Sequence, residues 1–329
     1  MADFELVIIG AGPTGLFATF AAGLREIKSL TLEELDFPGG QITELYPEKM
    51  VYDMPGIPKI LAKDLAKQMY EQATMFENEI RFNSKVTDIK QLDDGTFSVE
   101  VNGKQNITCQ AVLICSGVGS FIPNKLGVEG EDEYADKGVF HSVKSIDRFK
   151  GQDVIIVGAG DSGFDWANEL APVAKSIKIL QHNAVIKAEE RSVKEALDSH
   201  KVEIKLETNI KRIVGDGQKV TAIEVEGKNG KETLKADSII LAISYKIEPN
   251  NFKSITLTTS GRYIKVNHAY ETSIKGIYAA GDIANVADEP KFNLLAIGSA
   301  EAYTAINNIK KYVHPESSLF GGHSSSLNL

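Results

Sequence analysis

The chain has 329 residues, 43% of them apolar and 25% charged, the composition of a globular enzyme long enough for two hydrophobic cores. Its formal net charge of −9 excludes nucleic acid as the main partner, because phosphate recognition needs a basic field. Asp3 and Glu5 stand where a secretory leader would carry lysine or arginine, and no apolar run approaches the ~20 residues that cross a bilayer, so a cytoplasmic protein is expected.

The first predicted elements are a strand at Phe4–Ile9, a glycine turn, a helix at Pro13–Ala22 and a strand at Lys28–Glu33. Gly23 would follow the helix as a left-handed cap. The unit reads as βαβ, and a right-handed crossover makes its strands parallel. Residues 89–119 alternate apolar and polar side chains around Asp94-Gly95 and Asn102-Gly103, which predicts an antiparallel meander ending in a strand at Ala111–Cys115. The only cysteines, Cys109 and Cys115, fall in and beside these strands and read as buried small hydrophobes.

The plan then repeats. A strand at Asp153–Val157, a glycine turn, a helix at Ser162–Leu170 and a strand at Ser176–Leu180 precede a second meander turning at Asn229-Gly230. The segment GRYIKVNHAYETSIKGIYAAGD adds short strands and leads to a helix at Ser299–Tyr312. The tail ESSLFGGHSSSLNL is small and polar, and by itself reads as disordered.

Both glycine turns have the GxGxxG spacing. In Gly10-Ala11-Gly12-Pro13-Thr14-Gly15 the first glycine permits the turn, the second admits a pyrophosphate and the third lets helix and strand pack. The helix N-terminus offers free amides and a positive dipole end. Glu33, 23 residues after Gly10, would accept from both ribose hydroxyls, with Glu34 as the neighbouring alternative. The second turn, Gly158-Ala159-Gly160-Asp161-Ser162-Gly163, has the same context, but its following strand ends in LQHN, with neither an acid nor an arginine. Two dinucleotides on one chain imply electron transfer between a held flavin and an exchangeable nicotinamide.

These motifs, with PGGQ at Pro38–Gln41 and YAAGD at Tyr278–Asp282, resemble the two-dinucleotide-domain flavoproteins of the thioredoxin-reductase type over essentially the whole chain. The resemblance implies an α/β fold of two Rossmann-like domains, three-layer ββα in type, the second inserted into the first. Residues 1–119 and 247–329 would bind FAD and residues 120–246 NAD(P)H. The redox-active CxxC of thioredoxin reductases has no counterpart; the matching stretch, KGVFHSVKSID, holds His141 and Lys144. Among members without it, the chain is similar to the ferredoxin–NADP reductases of this type, through QITELYPEKMVYDMPG, GSAEAYTAINN and the tail GGHSSSL.

That similarity implies FAD contacts at Gly10, Gly12, Thr14, Gly15, Glu33, Gln41, Val86, Phe121, Asp282 and Ser325, with Tyr46 and His323 stacked on opposite flavin faces. It implies NAD(P)H contacts at Gly158, Gly160, Asp161, Ser162, Gly163, His182 and Lys187. Members of the family usually carry a His-Arg-Arg run for the 2′-phosphate of NADPH; here Gln181-His182-Asn183 stands in its place, so both NADPH and NADH remain open. The expected activity is electron transfer between NAD(P)H and ferredoxin or flavodoxin through FAD, in a homodimer. A disulfide or thiol reductase or diaphorase is the first alternative, and a non-enzymatic flavin-binding redox sensor the second. No metal and no certain catalytic side chain are expected.

Overall fold

The computed structural model describes residues 2–228, 230–248, 252–286 and 289–322; the predicted Asn229 turn position lies outside them. The chain divides into two compact units. The first comprises Met1–Glu44, Lys49–Ser120 and Ile247–Leu329; the second comprises Leu45–Glu48 and Phe121–Lys246. Leu45–Glu48, within the predicted first domain, clusters with the second unit.

The first unit is built on a seven-stranded sheet. Phe4–Ile9 lies between Ser29–Leu32 and Gln105–Ile114, parallel to both. The predicted exit strand Ala111–Cys115 is not separate. It is the second half of Gln105–Ile114, whose first half pairs antiparallel with Phe97–Val101. One ten-residue strand thus serves the meander and the parallel core in turn.

Both faces of this sheet are covered, which explains the unbroken apolar run at Leu6–Ile9. Leu6 and Ile8 join Ala18, Ala21 and Ala22 of helix Pro13–Leu24 and Ala302, Ala305 and Ile306 of helix Leu295–Val313. Val7 and Ile9 face the other way, toward Ile264, Val266 and Ile283 of a small β layer. Sheet, helices and β layer make the three layers of a ββα domain.

Gly23 is not a helix cap. The helix continues to Leu24, with Arg25 as its C-cap and Glu26 at φ 50°. A Cβ at Gly23 would stand 2.5 Å from Cγ and 2.6 Å from Cβ of Phe76, so side-chain crowding fixes the glycine.

The second unit repeats the design. Val139–Phe140, Ser238–Leu241, Asp153–Val157, Ser176–Leu180 and Val202–Lys205 form a parallel sheet in that order. Val154 and Ile156 bury against Phe164, Trp166 and Ala167 of helix Asp161–Leu170. Ile155 and Val157 bury against Ile213, Ile223 and Leu234 of a three-stranded antiparallel sheet.

Candidate nucleotide-binding sites

In each unit a central parallel strand, Phe4–Ile9 or Asp153–Val157, ends in the glycine turn and the helix begins at once, uncapped by any side chain. The helix N-termini therefore keep unsatisfied amides, which favour an anion. The three glycines of each turn have different reasons to be glycine. Gly10 has φ +100°, and a Cβ there would stand 2.7 Å from the carbonyl oxygen of Cys115. Gly158 has φ +113°, and its Cβ would collide with the carbonyl of Ala242. Cβ atoms at Gly15 and Gly163 would strike the carbonyls of Gly10 and Gly158. The protein's own packing demands these four.

The middle glycines are another matter. Gly12 and Gly160 have φ −69° and −98°, which any residue adopts. A Cβ at Gly12 would have only Gly40 Cα, 4.0 Å away, as a neighbour, and one at Gly160 would meet nothing within 4 Å. Nothing in the fold requires glycine there, whereas a pyrophosphate drawn onto the helix end does.

Glu33 is 6% exposed and faces the turn. Its Oε2 accepts from the Ala11 amide at 2.6 Å and its Oε1 from the Leu35 amide at 3.0 Å. Burial raises its pKa, and the two amides oppose that shift. Glu34, the alternative, turns outward, where its carboxylate accepts from Lys85 Nζ at 2.8 Å and Ser120 Oγ at 2.7 Å. Strand alternation leaves Glu33 alone at the turn.

The second unit holds a counterpart that the sequence reading missed. Gln181 Oε1 accepts from the Ala159 amide at 3.4 Å, as Glu33 does from Ala11. Its Nε2 donates to Asn183 Oδ1 at 3.0 Å and to the Val185 carbonyl at 3.1 Å. The loop that follows is stitched back to the turn, with the Lys187 amide donating to the Ala159 carbonyl at 2.9 Å and the Glu189 amide to Asp161 Oδ1 at 3.1 Å. Lys187 and His182 are exposed on this loop. Asp161 is the first helical residue, and Ser162 follows it.

The remaining predicted residues of the first unit lie as follows. A Cβ at Gly281 would stand 2.6 Å from Thr14 Oγ1, and one at Gly298 would also strike it. The first helix, the YAAGD turn and the last helix thus converge on Thr14. Asp282 follows Gly281; burial raises its pKa, while Lys291 and Arg262 lower it. Gln41 opens the short helix Gln41–Glu44, and its Nε2 lies 3.0 Å from where a Cβ of Gly117 would stand. Val86 begins the strand Val86–Gln91, with its side chain in the core and a pairing irregularity between it and Asp88. Ser116, just beyond the adjoining strand, has a buried hydroxyl without a hydrogen-bond partner.

Four predicted flavin contacts remain. Tyr46 packs against the helix-side core of the second unit. Phe121 lies in the strand Ser120–Pro123, where the chain passes into the second unit. His323 and Ser325 lie outside the described residues.

The thiols match no dithiol relay. Cys109 is 0% and Cys115 5% exposed; burial pushes Cys109 up to about 12 and raises Cys115 as well. Burial shifts His141 the other way, lowering its pKa, and its carbonyl accepts from Tyr245 Oη at 2.6 Å.

Residues 4–307 match the model of the pyridine nucleotide-disulphide oxidoreductase family. A ferredoxin–NADP reductase of Picrophilus torridus is 49% identical, with 100% of each chain covered. Another from Sulfurisphaera tokodaii is 41% identical over 100% of this chain and 99% of its own. Among solved structures, T. acidophilum thioredoxin reductase superposes with a TM-score of 0.75 at 26% identity, covering 96% of this chain and 100% of that one. A match to the family model over nearly the whole length, on a framework whose two glycine turns both leave space where a Cβ of the middle glycine would stand, leads to one conclusion: the chain belongs to the pyridine nucleotide-disulphide oxidoreductase family.

Proposed function

We propose that the protein is a ferredoxin–NADP reductase, passing electrons between NADPH and ferredoxin, or flavodoxin, through bound FAD. The observation that carries this reading is the pair of glycines, Gly12 and Gly160, that only a ligand explains. The name of the relatives at 41–49% identity supplies the acceptor class. The bound flavin would take a hydride from the nicotinamide and release electrons singly to the protein carrier.

The residues present fit FAD in the first unit. Gly10, Gly12 and Gly15, with the uncapped helix beyond them, would hold the pyrophosphate, and Glu33 the adenosine ribose. Asp282 would meet the ribityl end, with Thr14, Gln41, Val86 and Phe121 as further contacts. Tyr46 and His323 would shield the ring, with Ser325 nearby. In the second unit Gly158, Gly160, Gly163, Asp161 and Ser162 would receive the nicotinamide dinucleotide. Gln181 puts no negative charge against a 2′-phosphate, and Lys187 and His182 stand on the loop stitched to the turn, which favours NADPH over NADH.

The same reading makes the protein a cytoplasmic homodimer with its tail acting across the dimer. The segment before the tail is tied to the far end of the first helix: Arg25 Nη2 donates to the Ser318 carbonyl at 2.6 Å, and Gly321 abuts the Arg25 guanidinium. That helix is 12 residues, about 18 Å, long. His323 follows Gly321 by two residues, and a tail that starts from this docked segment is the basis for proposing that it serves the partner's flavin.

The purified protein is expected to be yellow, with one FAD per chain. It should reduce ferredoxin with NADPH more efficiently than with NADH, and with Cys109 and Cys115 both replaced by serine it should still do so. A colourless protein that refuses FAD ends this reading. Turnover of a disulfide substrate that disappears in the double serine variant would move it to the disulfide-reductase alternative.

A further inference from the structure

The segment before the last helix is inverted in polarity. Phe292 is 65% and Leu294 47% exposed, yet the side chain of Lys291 between Pro290 and Phe292 is only 7% exposed. Its Nζ lies 2.6 Å from Glu301 Oε1, and the Glu301 side chain is 8% exposed. The other carboxylate oxygen, Oε2, accepts from the Gly281 amide at 2.7 Å. Gly281 is the residue against which Thr14 packs, and it immediately precedes Asp282. A buried ion pair gives a fold little that a well-packed apolar pair would not. The position of these charges, rather than the stability they add, is what calls for explanation.

We propose that Glu301 and Lys291 are a positioning pair for the flavin nucleotide: Glu301 fixes the amide of Gly281, and with it the Gly281–Asp282 turn, while Lys291 neutralises Glu301. Without Lys291 the buried carboxylate of Glu301 would stand uncompensated beside the half-buried one of Asp282, at the site of an anionic cofactor, with Arg262 left to offset Asp282. Without the reach of Glu301, the turn that presents Asp282 would lose the acceptor that holds its backbone. Neither side chain touches the cofactor. Both act through Gly281 and Asp282, and the inference rests on the FAD reading above.

The test uses full-length apoprotein titrated with FAD, followed by fluorescence quenching, visible circular dichroism of the bound flavin and thermal melts. E301D keeps the charge opposite Lys291 but is one methylene too short for Gly281. K291M leaves Glu301 uncompensated. Both are expected to weaken FAD binding by about tenfold or more, the loss typical of a hydrogen bond to a charged group, and to change the flavin dichroism. E301D should melt close to wild type. If K291M does not fold, E301D alone decides. An E301D protein that binds FAD with wild-type affinity and an unchanged flavin spectrum overturns the pairing role, whatever its melting temperature. Wild-type apoprotein that takes up no FAD overturns the FAD reading instead.

Discussion

Glu33 and Gln181 each stand 23 residues after the first glycine of their turn, and each accepts the amide of the alanine between the first two glycines. One position, duplicated, is charged in one unit and neutral in the other. In Gln181→Glu the acceptor for Ala159 survives, but the donations to Asn183 and Val185 disappear and a charge arrives beside the ribose. The ratio of kcat/KM for NADPH to that for NADH should fall by about tenfold or more, as a like charge replaces a neutral group beside a phosphate. Titration with 2′,5′-ADP and with AMP measures the same discrimination without turnover. An unchanged ratio in a natively melting variant would remove Gln181 from cofactor selection. Glu33 is legible in the sequence because an acid at that spacing is a motif. Gln181 is equally well spaced but chemically silent there, and only its hydrogen bonds reveal the equivalence.

At the scale of elements, the parallel strands are the legible part of the fold. Phe4–Ile9, Asp153–Val157 and Ser176–Leu180 have the predicted bounds, and the apolar runs Leu6–Ile9 and Val154–Val157 within the first two reflect a sheet covered on both faces. Helix Ala62–Ala73, where no element is predicted above, carries a readable stripe of Leu65, Ala66, Met69 and Ala73. Helix Glu190–Asp198 carries a short stripe too, Val193, Ala196 and Leu197 among charged residues, although Ala196 alone of its residues is fully buried. The last helix starts at Leu295 rather than Ser299, running through Gly298, a poor helix former that is required because Thr14 packs there.

Gly23 gives that lesson a number. Exposed mid-helix glycine is worse than alanine by about 1 kcal/mol, so propensity alone would make Gly23→Ala stabilising. The new methyl group would stand 2.5 Å from Phe76 Cγ, and the ring is itself packed at a tilt against Phe20 with centroids 5.9 Å apart. Overpacking of this kind costs about 1–3 kcal/mol. Crowding therefore wins, and Gly23→Ala should melt lower by about 2–5 °C in a two-state scan. A higher melting temperature would show that Phe76 yields easily and that the glycine is not held by packing.

At the scale of the whole molecule the tail is the part least legible in composition, since GGHSSSL reads as linker until the segment before it is seen docked. Beyond Arg25, that segment is held by His314 Nε2 and Glu5 Oε1, 2.6 Å apart, and by Lys310 Nζ donating to the Glu26 carbonyl at 3.2 Å. The docked segment thus ends beside Arg25, at the helix end opposite the glycine turn, and on the proposed reading the histidine that follows it shields the partner's flavin. Truncation after Phe320 should leave FAD bound, because Glu33, Asp282 and the glycine turn are untouched, and should speed reoxidation of the flavin by oxygen. A mixed dimer separates the two geometries. One chain lacks the tail but binds FAD; the other keeps the tail and carries Gly12→Asp, which fills the opening at the turn with a side chain and a negative charge. The single flavin in such a dimer should reoxidise at the slow wild-type rate if the tail crosses over. The fast rate of the truncated homodimer would mean that the tail serves its own chain, and rates that are equal in all three proteins would mean that it covers no flavin at all.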